Sequence, residues 1–146
     1  MSQENVEIVR AATEAAKSPE AMERLARGDM DAIDLISPEV EWDARGSRDV
    51  VPDLADVYWG HEGVRTYWRR WLEAWGDLEF DVQDYLDAGD EVVVLIINQR
   101  QRGRYTHIAT EIPPFALVYS FCEGKVVRFR FFPDHDSALK AVGLED

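Results

Sequence analysis

One stretch, Tyr58 to Trp75 (YWGHEGVRTYWRRWLEAW), contains four of the five tryptophans of the chain. Its large apolar residues recur at the spacing of one continuous helical face: Val64, Tyr67, Trp68, Trp71, Leu72 and Trp75. Gly60 is placed to cap this helix and Gly76 to end it. A face this wide and aromatic needs a large, curved apolar partner. We therefore expect the function in the space between this helix and the rest of the chain.

Composition and charge narrow the class of protein. The 146 residues are 46% hydrophobic and 31% charged, which indicates one globular domain spanning residues 1–146. Acidic residues outnumber basic ones by 29 to 16, so the net charge is −13 and contact with nucleic acid or an anionic membrane is not expected. No apolar run approaches a membrane span, and Met1–Glu7 is too polar for a signal peptide. The expected location is cytoplasmic.

The first third of the chain predicts helices. Glu4 to Lys17 has one apolar side, and Ser18-Pro19-Glu20 is typical of a helix start, which predicts a short helix to about Arg27. Asp29 is placed to cap another short helix that Ser37-Pro38 would stop. Glu39 to Trp42 then alternates like a strand, and Ala44 to Val57 lacks periodicity, which predicts an irregular loop and a candidate lid.

The last half predicts long strands. Strand patterns begin at Leu78 and continue after the turn Ala88-Gly89-Asp90 as a β-branched run from Glu91 to Arg102. Ile108 to Phe121 is a strand that Pro113-Pro114 interrupts, and a turn at Cys122–Lys125 leads into a strand to Phe132. Asp136 is placed to cap a terminal helix from Ser137 to Val142. Helices followed by a strand meander predict an α+β fold.

Four stretches carry a resemblance to a known family: RGDMDAIDLISPEVEW, YWGHEGVRTYWRRWLEAW, DAGDEVVVL and EGKVVRFRFFPDHDSALKAVGL. With them the sequence resembles the SnoaL-like branch of the NTF2-like superfamily, the fold of ketosteroid isomerases and polyketide cyclases. The resemblance implies a cone in which a strongly curved, mostly antiparallel sheet wraps the N-terminal helices. It also implies a pocket at one end and a homodimer through the outer sheet face.

The resemblance also bears on catalysis. Family isomerases use an Asp base together with a Tyr and a protonated Asp that hold an enolate oxygen. Aligned by these stretches, the Tyr position falls at Ala12, the oxyanion Asp at Leu117 and the base at Trp42, with Asp43 beside it. Two of the three catalytic roles are therefore apolar. Steroid-type isomerisation is therefore not expected. The hypothesis of a polyketide-cyclase activity is also weakened, because the acid/base Asp of those enzymes falls near Leu117 too.

Aromatic residues are the strongest ligand-binding candidates. Strand alternation places Phe115, Leu117, Tyr119 and Phe121 on one face, and Val127, Phe129 and Phe131 on one face of the next strand; we assign both to the concave side. We predict an apolar pocket for a small hydrophobic or aromatic ligand. Its predicted lining is Trp42, Tyr58, Trp59, Trp68, Phe115, Leu117, Tyr119 and Phe129. The alternative is that these side chains simply fill the core.

The catalytic candidates are Asp43 and His61. Asp43 would need burial beside Trp42 to raise its pKa to a useful value, and otherwise is a solvated loop acid. His61 follows Gly60 at a helix start, where a neutral imidazole could exchange protons or simply bond locally.

Other motifs favour structural roles. Asp134-His135-Asp136 lacks a second cluster that would complete a metal site, so no metal is expected. The alternating Asn98, Arg100, Arg102 and Arg104, and the pair Arg128 and Arg130, are expected to meet acids across the sheet or a dimer interface. The sequence has no Gly-rich phosphate loop or nucleophile elbow, and no cofactor is expected.

Three hypotheses remain open from the sequence. The chain either catalyses proton transfer on a carbonyl compound, or binds a ligand without catalysis, or is a dimeric interaction module whose cone is filled by side chains. A roomy cavity without a buried titratable group favours binding over catalysis.

Overall fold

The computed structural model describes residues 2–29, 31–47, 51–52 and 54–144. Within them the chain folds as an α+β protein, as predicted, with the elements α1 (Ser2–Ala15), α2 (Pro19–Ala26), β1 (Ile36–Asp43), β2 (Val57–Trp59), α3 (Gly60–Ala74), β3 (Trp75–Asp87), β4 (Glu91–Gly103), β5 (Ala109–Ile112), β6 (Phe115–Cys122), β7 (Lys125–Phe132) and α4 (His135–Ala141). None of the described helices is both long and apolar enough to cross a membrane.

The strands form one sheet in the order β2-β1-β7-β6-β4-β3, with β5 paired to β4. Every pairing is antiparallel except that of β1 with β7. As predicted, Pro113-Pro114 interrupts one long strand. Its two halves, β5 and β6, pair with successive parts of β4.

The sheet curves around the helices, and bulges help it to do so. Ile97 is an extra residue in β4 opposite the step from Asp81 to Val82, and Val127 is an extra residue in β7 opposite the step from Ser120 to Phe121. The Val127 bulge corrects one prediction. Val126, rather than Val127, joins the main core on the concave side.

The main core lies between the concave sheet face and helices α1 and α3. It contains Val6 and Val9 of α1, Val64, Tyr67 and Trp71 of α3, and the inward residues of β1, β4, β6 and β7. A smaller cluster lies on the outer face, where Ala138 of α4 packs with Val93, Leu95, Ala116 and Val118. The outer face is thus partly covered by the chain's own last helix.

The helix starts predicted in the first third of the chain agree only in part with the structure. The Ser18 hydroxyl accepts a hydrogen bond from the Ala21 amide at 3.0 Å, which confirms the predicted start of α2. The predicted helix after Asp29 is a 3-10 helix, Asp31–Leu35. Ser37-Pro38 does not stop it, because β1 already begins at Ile36 and includes Pro38.

The aromatic helix α3 ends earlier than predicted. Trp75 has extended backbone and begins β3, where it pairs with Gly103, so Gly76 lies in a strand rather than at a helix end. At the other end, Trp59 is the cap and Gly60 is the first helical residue, with a positive φ of 71° that glycine adopts easily.

Two further predictions concern the α4 cap and the loop after β1. Asp134, not Asp136, caps α4 by accepting the Ser137 amide at 2.7 Å. Residues 48–50 and 53 of the predicted loop Ala44–Val57 lie outside the described residues. The described remainder contains a 3-10 turn, Arg45–Ser47, and the buried Val51 and Leu54.

Candidate functional site

A cavity of about 240 Å³ lies inside the cone, between α1, α2, α3 and the concave face of the sheet. Small residues of α1 and of the turn after it leave this space open, because Ala12, Thr13 and Ala16 line the cavity opposite large rings. Met22 and Leu25 of α2 contribute to a second side. The exposed residues Asp29 and Leu35, which also line it, mark the side nearest to solvent.

The wall opposite α1 is an aromatic cage. Trp42 is 2% exposed and stacks on Phe129, with 4.2 Å between ring centroids and 13° between the ring planes. Tyr67 and Tyr119 meet the Trp42 ring edge-on, at centroid distances of 6.0 and 6.4 Å. Phe115 and Phe131 form a second stack at 4.7 Å. These ring–ring contacts stabilise the aromatic side chains against one another along the cavity wall.

Two tyrosines bring polar groups to the wall. Tyr67 is buried and shares a hydrogen bond of 3.1 Å with the Ser47 hydroxyl, and burial raises its pKa. Burial likewise raises the pKa of Tyr119, whose hydroxyl has no hydrogen-bond partner among the residues described. Both phenols are therefore neutral at physiological pH, and Tyr119 is free to donate to a molecule in the cavity.

A cluster of charged and aromatic side chains, which we call the latch, joins the C-terminal end of α1 to β3 beside the cavity. It consists of Arg10, Glu14, Lys17, Phe80 and Tyr85. The Tyr85 hydroxyl donates to Glu14 at 3.1 Å, and Lys17 pairs with Glu14 at the same distance. The Arg10 guanidinium lies over the Tyr85 ring, and Lys17 lies over the Phe80 ring. Hydrogen bonding from Lys17 lowers the pKa of Glu14, so the latch is charged at neutral pH.

The three positions aligned with isomerase catalytic groups come together in this cavity. Ala12, Trp42 and Leu117 all line it. The cavity thus occupies the place where the resemblance puts an isomerase active site, but the groups there are a methyl, an indole and an isobutyl side chain. These side chains cannot exchange protons with a substrate.

Six of the predicted site residues line the cavity: Trp42, Trp68, Phe115, Leu117, Tyr119 and Phe129. The aromatic pair Tyr58 and Trp59 of β2, a short edge strand, does not line the cavity. The Tyr58 hydroxyl accepts the Ala55 amide at 3.0 Å, and Trp59 is 64% exposed.

The candidate base Asp43 lies outside the cavity lining. Arg45 binds both of its oxygens, at 3.0 Å from Nε and 2.7 Å from Nη2, and the Arg45 amide donates as well. Burial acts to raise the pKa of Asp43, but the hydrogen bonds from Arg45 outweigh it and leave that pKa below its usual value. Such a carboxylate is a weak base.

The other catalytic candidate, His61, also lies outside the lining. Its Nε2 is 2.7 Å from the carbonyl oxygen of Ile36 and donates to it, because a carbonyl can only accept. This bond ties the start of α3 to β1, which is the local structural role that the sequence left open.

The remaining polar motifs are structural among the described residues. No group of three or more potential metal ligands occurs there, and Asp134 is the α4 cap. Three of the basic residues meet acids across the sheet as expected, with Arg100 near Glu79 and Asp81, Arg128 near Glu41, and Arg130 near Glu91. Arg102 donates to the backbone carbonyl oxygen of His107 at 2.8 Å. Arg104 does not continue the alternating series predicted from Asn98, because it lies in a turn after β4. Its Nε donates to the carbonyl oxygen of Leu72.

The helical side of the site is not predicted by the sequence patterns. Ala12, Thr13, Ala16 and Met22 line the cavity on this side, in addition to the residues predicted to bind a ligand. Gln99 of β4 also lines it and was likewise not predicted. The sequence indicates these residues only indirectly. Small side chains on the inward side of α1 face large aromatic side chains of the sheet and α3, and such a combination leaves volume unfilled.

Comparison with known proteins places the chain in a fold family. A family model described as a SnoaL-like domain matches residues 20–129. Among solved structures, an NTF2-like protein of unknown function from Burkholderia pseudomallei is similar at 19% identity, with a TM-score of 0.67 over 95% of this chain and 97% of that one. No curated protein matches.

Two similar structures contain small molecules. TerC, co-crystallised with polyporic acid, is 20% identical, with a TM-score of 0.58 over 86% of this chain and 98% of TerC. A protein from Catenulispora acidiphila with a ketosteroid isomerase-like fold, in complex with trimethylamine, is 15% identical, with a TM-score of 0.63 over 95% and 94%. At these identities the likeness concerns the fold. The family match covers most of the sequence, and the chain belongs to the SnoaL-like family.

Proposed function

We propose that the whole chain, residues 1–146, forms one SnoaL-like domain that binds a small, largely apolar aromatic molecule inside its cone. The observation that carries this proposal is the cavity of about 240 Å³ with aromatic walls. Its described lining contains no histidine, and its one carboxylate, Asp29, is exposed at the rim. This combination favours ligand binding over acid–base chemistry.

The size of the cavity limits the ligand. An apolar protein cavity of roughly 150 Å³ stays dry and binds benzene. The present cavity therefore has room for a molecule of one or two rings. The Trp42–Phe129 and Phe115–Phe131 stacks offer flat apolar walls to such a molecule.

Relatives in the fold support a small-molecule role. TerC was crystallised with polyporic acid, and the Catenulispora protein with trimethylamine. Proton transfer by Asp43 or His61 is not part of the proposal, because neither residue lines the cavity. A cone filled by side chains is disfavoured by the volume that remains.

The experiment compares cavity-filling and surface variants on one helix. Ala12 lines the cavity, whereas the neighbouring Ala11 is exposed. Ala12→Phe should abolish binding of one-ring and two-ring aromatic molecules, measured by calorimetry and by mass spectrometry of ligands carried through native purification. Ala11→Phe should bind like the wild type. Equal binding by both variants would place the ligand elsewhere and refute the proposal.

We further propose a cytoplasmic homodimer formed through the part of the outer sheet face that α4 leaves uncovered. Ile97, at the β4 bulge, is 44% exposed and offers an apolar contact there. Light scattering at high micromolar concentration tests the dimer, and a monomeric mass would reject it. Ile97→Asp should shift a dimer towards the monomer.

A further inference from the structure

The inward face of β4 changes from apolar to polar at the bulge. Before Ile97, the main core takes even-numbered residues of this strand, among them Val94 and Ile96. After Ile97 the buried residues are odd-numbered, and they include Gln99 and Gln101. An extra residue in a strand turns the side chains that follow it to the opposite face. The bulge therefore directs two glutamines into the cone.

The two glutamines form a hydrogen-bonded pair with one open acceptor. Gln99 Nε2 donates to Gln101 Oε1 at 3.0 Å. Among the described residues, nothing donates to Gln99 Oε1, yet this oxygen is not one of the unpaired side-chain atoms that lack accessible surface. Gln99 lines the cavity and is only 6% exposed. Its carbonyl oxygen is therefore an open acceptor on the cavity wall.

Gln101 fixes the direction in which the Gln99 amide faces. It is 3% exposed and does not line the cavity. Its own Nε2 is unpaired and has no accessible surface, so it is out of reach of a ligand. The oxygen of Gln101 holds the nitrogen of the Gln99 amide, and the oxygen on the other arm of that amide is left for the cavity.

The open acceptor lies among apolar side chains. The partners of Gln99 across the sheet are Phe80 on β3 and Ile112 on β5, and both pack with the main core. A buried water molecule needs two to four polar partners, which this part of the wall does not supply. A hydrocarbon in the cavity would leave the oxygen without a donor, whereas a ligand with an N–H or O–H group would supply one.

Other polar groups of the lining lie elsewhere. Tyr119 pairs with Val92 near the start of β4, whereas Gln99 lies in the second half of that strand. The Asp29 carboxylate is exposed at the rim, where water satisfies it. Gln99 is thus a separate polar point in the apolar interior.

We propose that Gln99 is the specificity-determining residue of the cavity, and that it selects aromatic ligands that carry an N–H or O–H donor. The inference rests on the proposed function and specifies its ligand. Gln99 Oε1 accepts the donor of the ligand, and the apolar walls cover the ring. Gln101 is a positioning residue that keeps the Gln99 amide in this orientation.

Three probes with one bicyclic frame separate this chemistry from simple hydrophobicity. Indole has a ring N–H donor, indene has a CH₂ group in its place, and 1-indanone has an acceptor only. Transfer out of water alone favours indene, the least polar of the three. By calorimetry, we expect indole to bind about threefold to tenfold more tightly than indene, the effect of one net hydrogen bond. 1-Indanone should bind more weakly than indole.

A matched pair of glutamine variants assigns this preference to Gln99. Gln99→Leu removes the acceptor and keeps a side chain of similar bulk, so the ratio of indole to indene affinity should fall by about threefold to tenfold. Gln83 is an exposed glutamine on the neighbouring strand β3 and does not line the cavity. Gln83→Leu should leave the ratio unchanged.

The positioning role of Gln101 has its own readout. Gln101→Met keeps the length of the side chain but removes the oxygen that holds Gln99 Nε2. It should lower the ratio of indole to indene affinity by about twofold to fivefold and leave indene binding within about twofold of the wild type. A purely structural role would instead lower both affinities alike.

A spectroscopic measurement on the wild type does not depend on any variant folding. Indole labelled with the heavy nitrogen isotope should show its N–H proton moving downfield on binding, because the proton becomes hydrogen-bonded to Gln99 Oε1. The side-chain amide signals of Gln99 should move in the same titration. In Gln99→Leu, the N–H proton of bound indole should lose most of its downfield shift.

The outcomes distinguish this inference from the proposed function. If indole and indene bind equally and the N–H signal does not move, the inference is wrong while the apolar ligand site stands. A preference for 1-indanone would mean that the amide presents its nitrogen, which also refutes the inference. A preference for indole that survives in Gln99→Leu would place the acceptor elsewhere and overturn the assignment. If none of the three probes binds, both proposals fail.

Discussion

The indole ring of Trp42 lies flat on the phenyl ring of Phe129, with 4.2 Å between the centroids. The two residues are partners in the parallel pairing of β1 with β7, the pairing that joins the edge hairpin to the rest of the sheet. One contact therefore serves both the sheet and the cavity wall. The position that the resemblance assigns to a catalytic base is instead used for packing.

Replacing Trp42 should test this double role. Trp42→Ala removes a ring that is 2% exposed and should lower the free energy of unfolding by about 3–5 kcal/mol. Trp42→Phe retains a ring on Phe129 and should cost less. Urea unfolding measures both changes. A loss below about 1 kcal/mol in Trp42→Ala would show that the stack contributes little to stability.

The pH dependence of Asp43 follows from its contact with Arg45. Its pKa in the folded protein is lower than in the unfolded chain, so its contribution to stability is complete above the ordinary value of about 3.9 and is lost as pH falls through the folded value. Asp43→Asn should therefore be less stable than the wild type at about pH 7, and the gap should close in acid. Urea unfolding across this range measures the gap.

Glu23 provides the control for Asp43. It is an exposed acid on α2, and Glu23→Gln should show no such closing gap. If Asp43→Asn stays destabilised by the same amount down to about pH 2, its effect comes from shape rather than from charge. A gap that widens in acid would contradict the lowered pKa.

Gly46 tests how tightly the turn after β1 packs on β7. A Cβ at this position would overlap the carbonyl oxygen of Phe131, which is backbone and cannot move away cheaply. Gly46→Ala should cost about 1–3 kcal/mol or more and loosen the Phe131 wall of the cavity. Gly89→Ala, in a turn with positive φ and open space, should cost only about 1 kcal/mol. Equal losses in thermal unfolding would contradict this packing.

Local signals allowed much of the fold to be predicted from sequence, and long-range pairing explains most of the errors. The spacing of Val64, Tyr67 and Trp71 identified the buried side of α3 correctly. The same spacing wrongly extended the predicted helix to Trp75. In the structure Trp75 pairs with Gly103 of β4, and a contact between residues so far apart in the chain leaves no local pattern. Trp59 was misplaced for a related reason, since β2 is too short to give a periodic pattern.

The cavity was harder to predict than its aromatic wall. Alternation along β6 correctly placed Phe115, Leu117 and Tyr119 on the inner face. The opposite wall is made by the small side chains of Ala12 and Ala16, and empty volume depends on how helices dock on the sheet. No local pattern encodes that docking. The ion pair that occupies Asp43 likewise depends on a turn, Arg45–Ser47, that has no periodicity.

Leu117 offers a test of the electrostatics inside the cone. Leu117→Asp places a carboxylate in the apolar wall, at the position where the resemblance puts the isomerase oxyanion acid. Burial should raise the pKa of this carboxyl above its unfolded value, so the variant should lose stability as pH rises from about 4 to 7. The loss should be about 1–3 kcal/mol relative to Leu117→Asn, because a tenfold change in the acid dissociation constant corresponds to about 1.4 kcal/mol.

Tyr119 should reduce the stability that Leu117→Asp loses as pH rises. It lies two residues along the same face of β6, and its free hydroxyl can donate to the new carboxylate and stabilise the charged form. The double variant Leu117→Asp, Tyr119→Phe should therefore show a steeper loss between about pH 4 and 7, by about 1 kcal/mol beyond the single variant. Urea unfolding at both pH values measures this difference. Identical pH profiles for the single and double variants would mean that Tyr119 does not donate into the cavity.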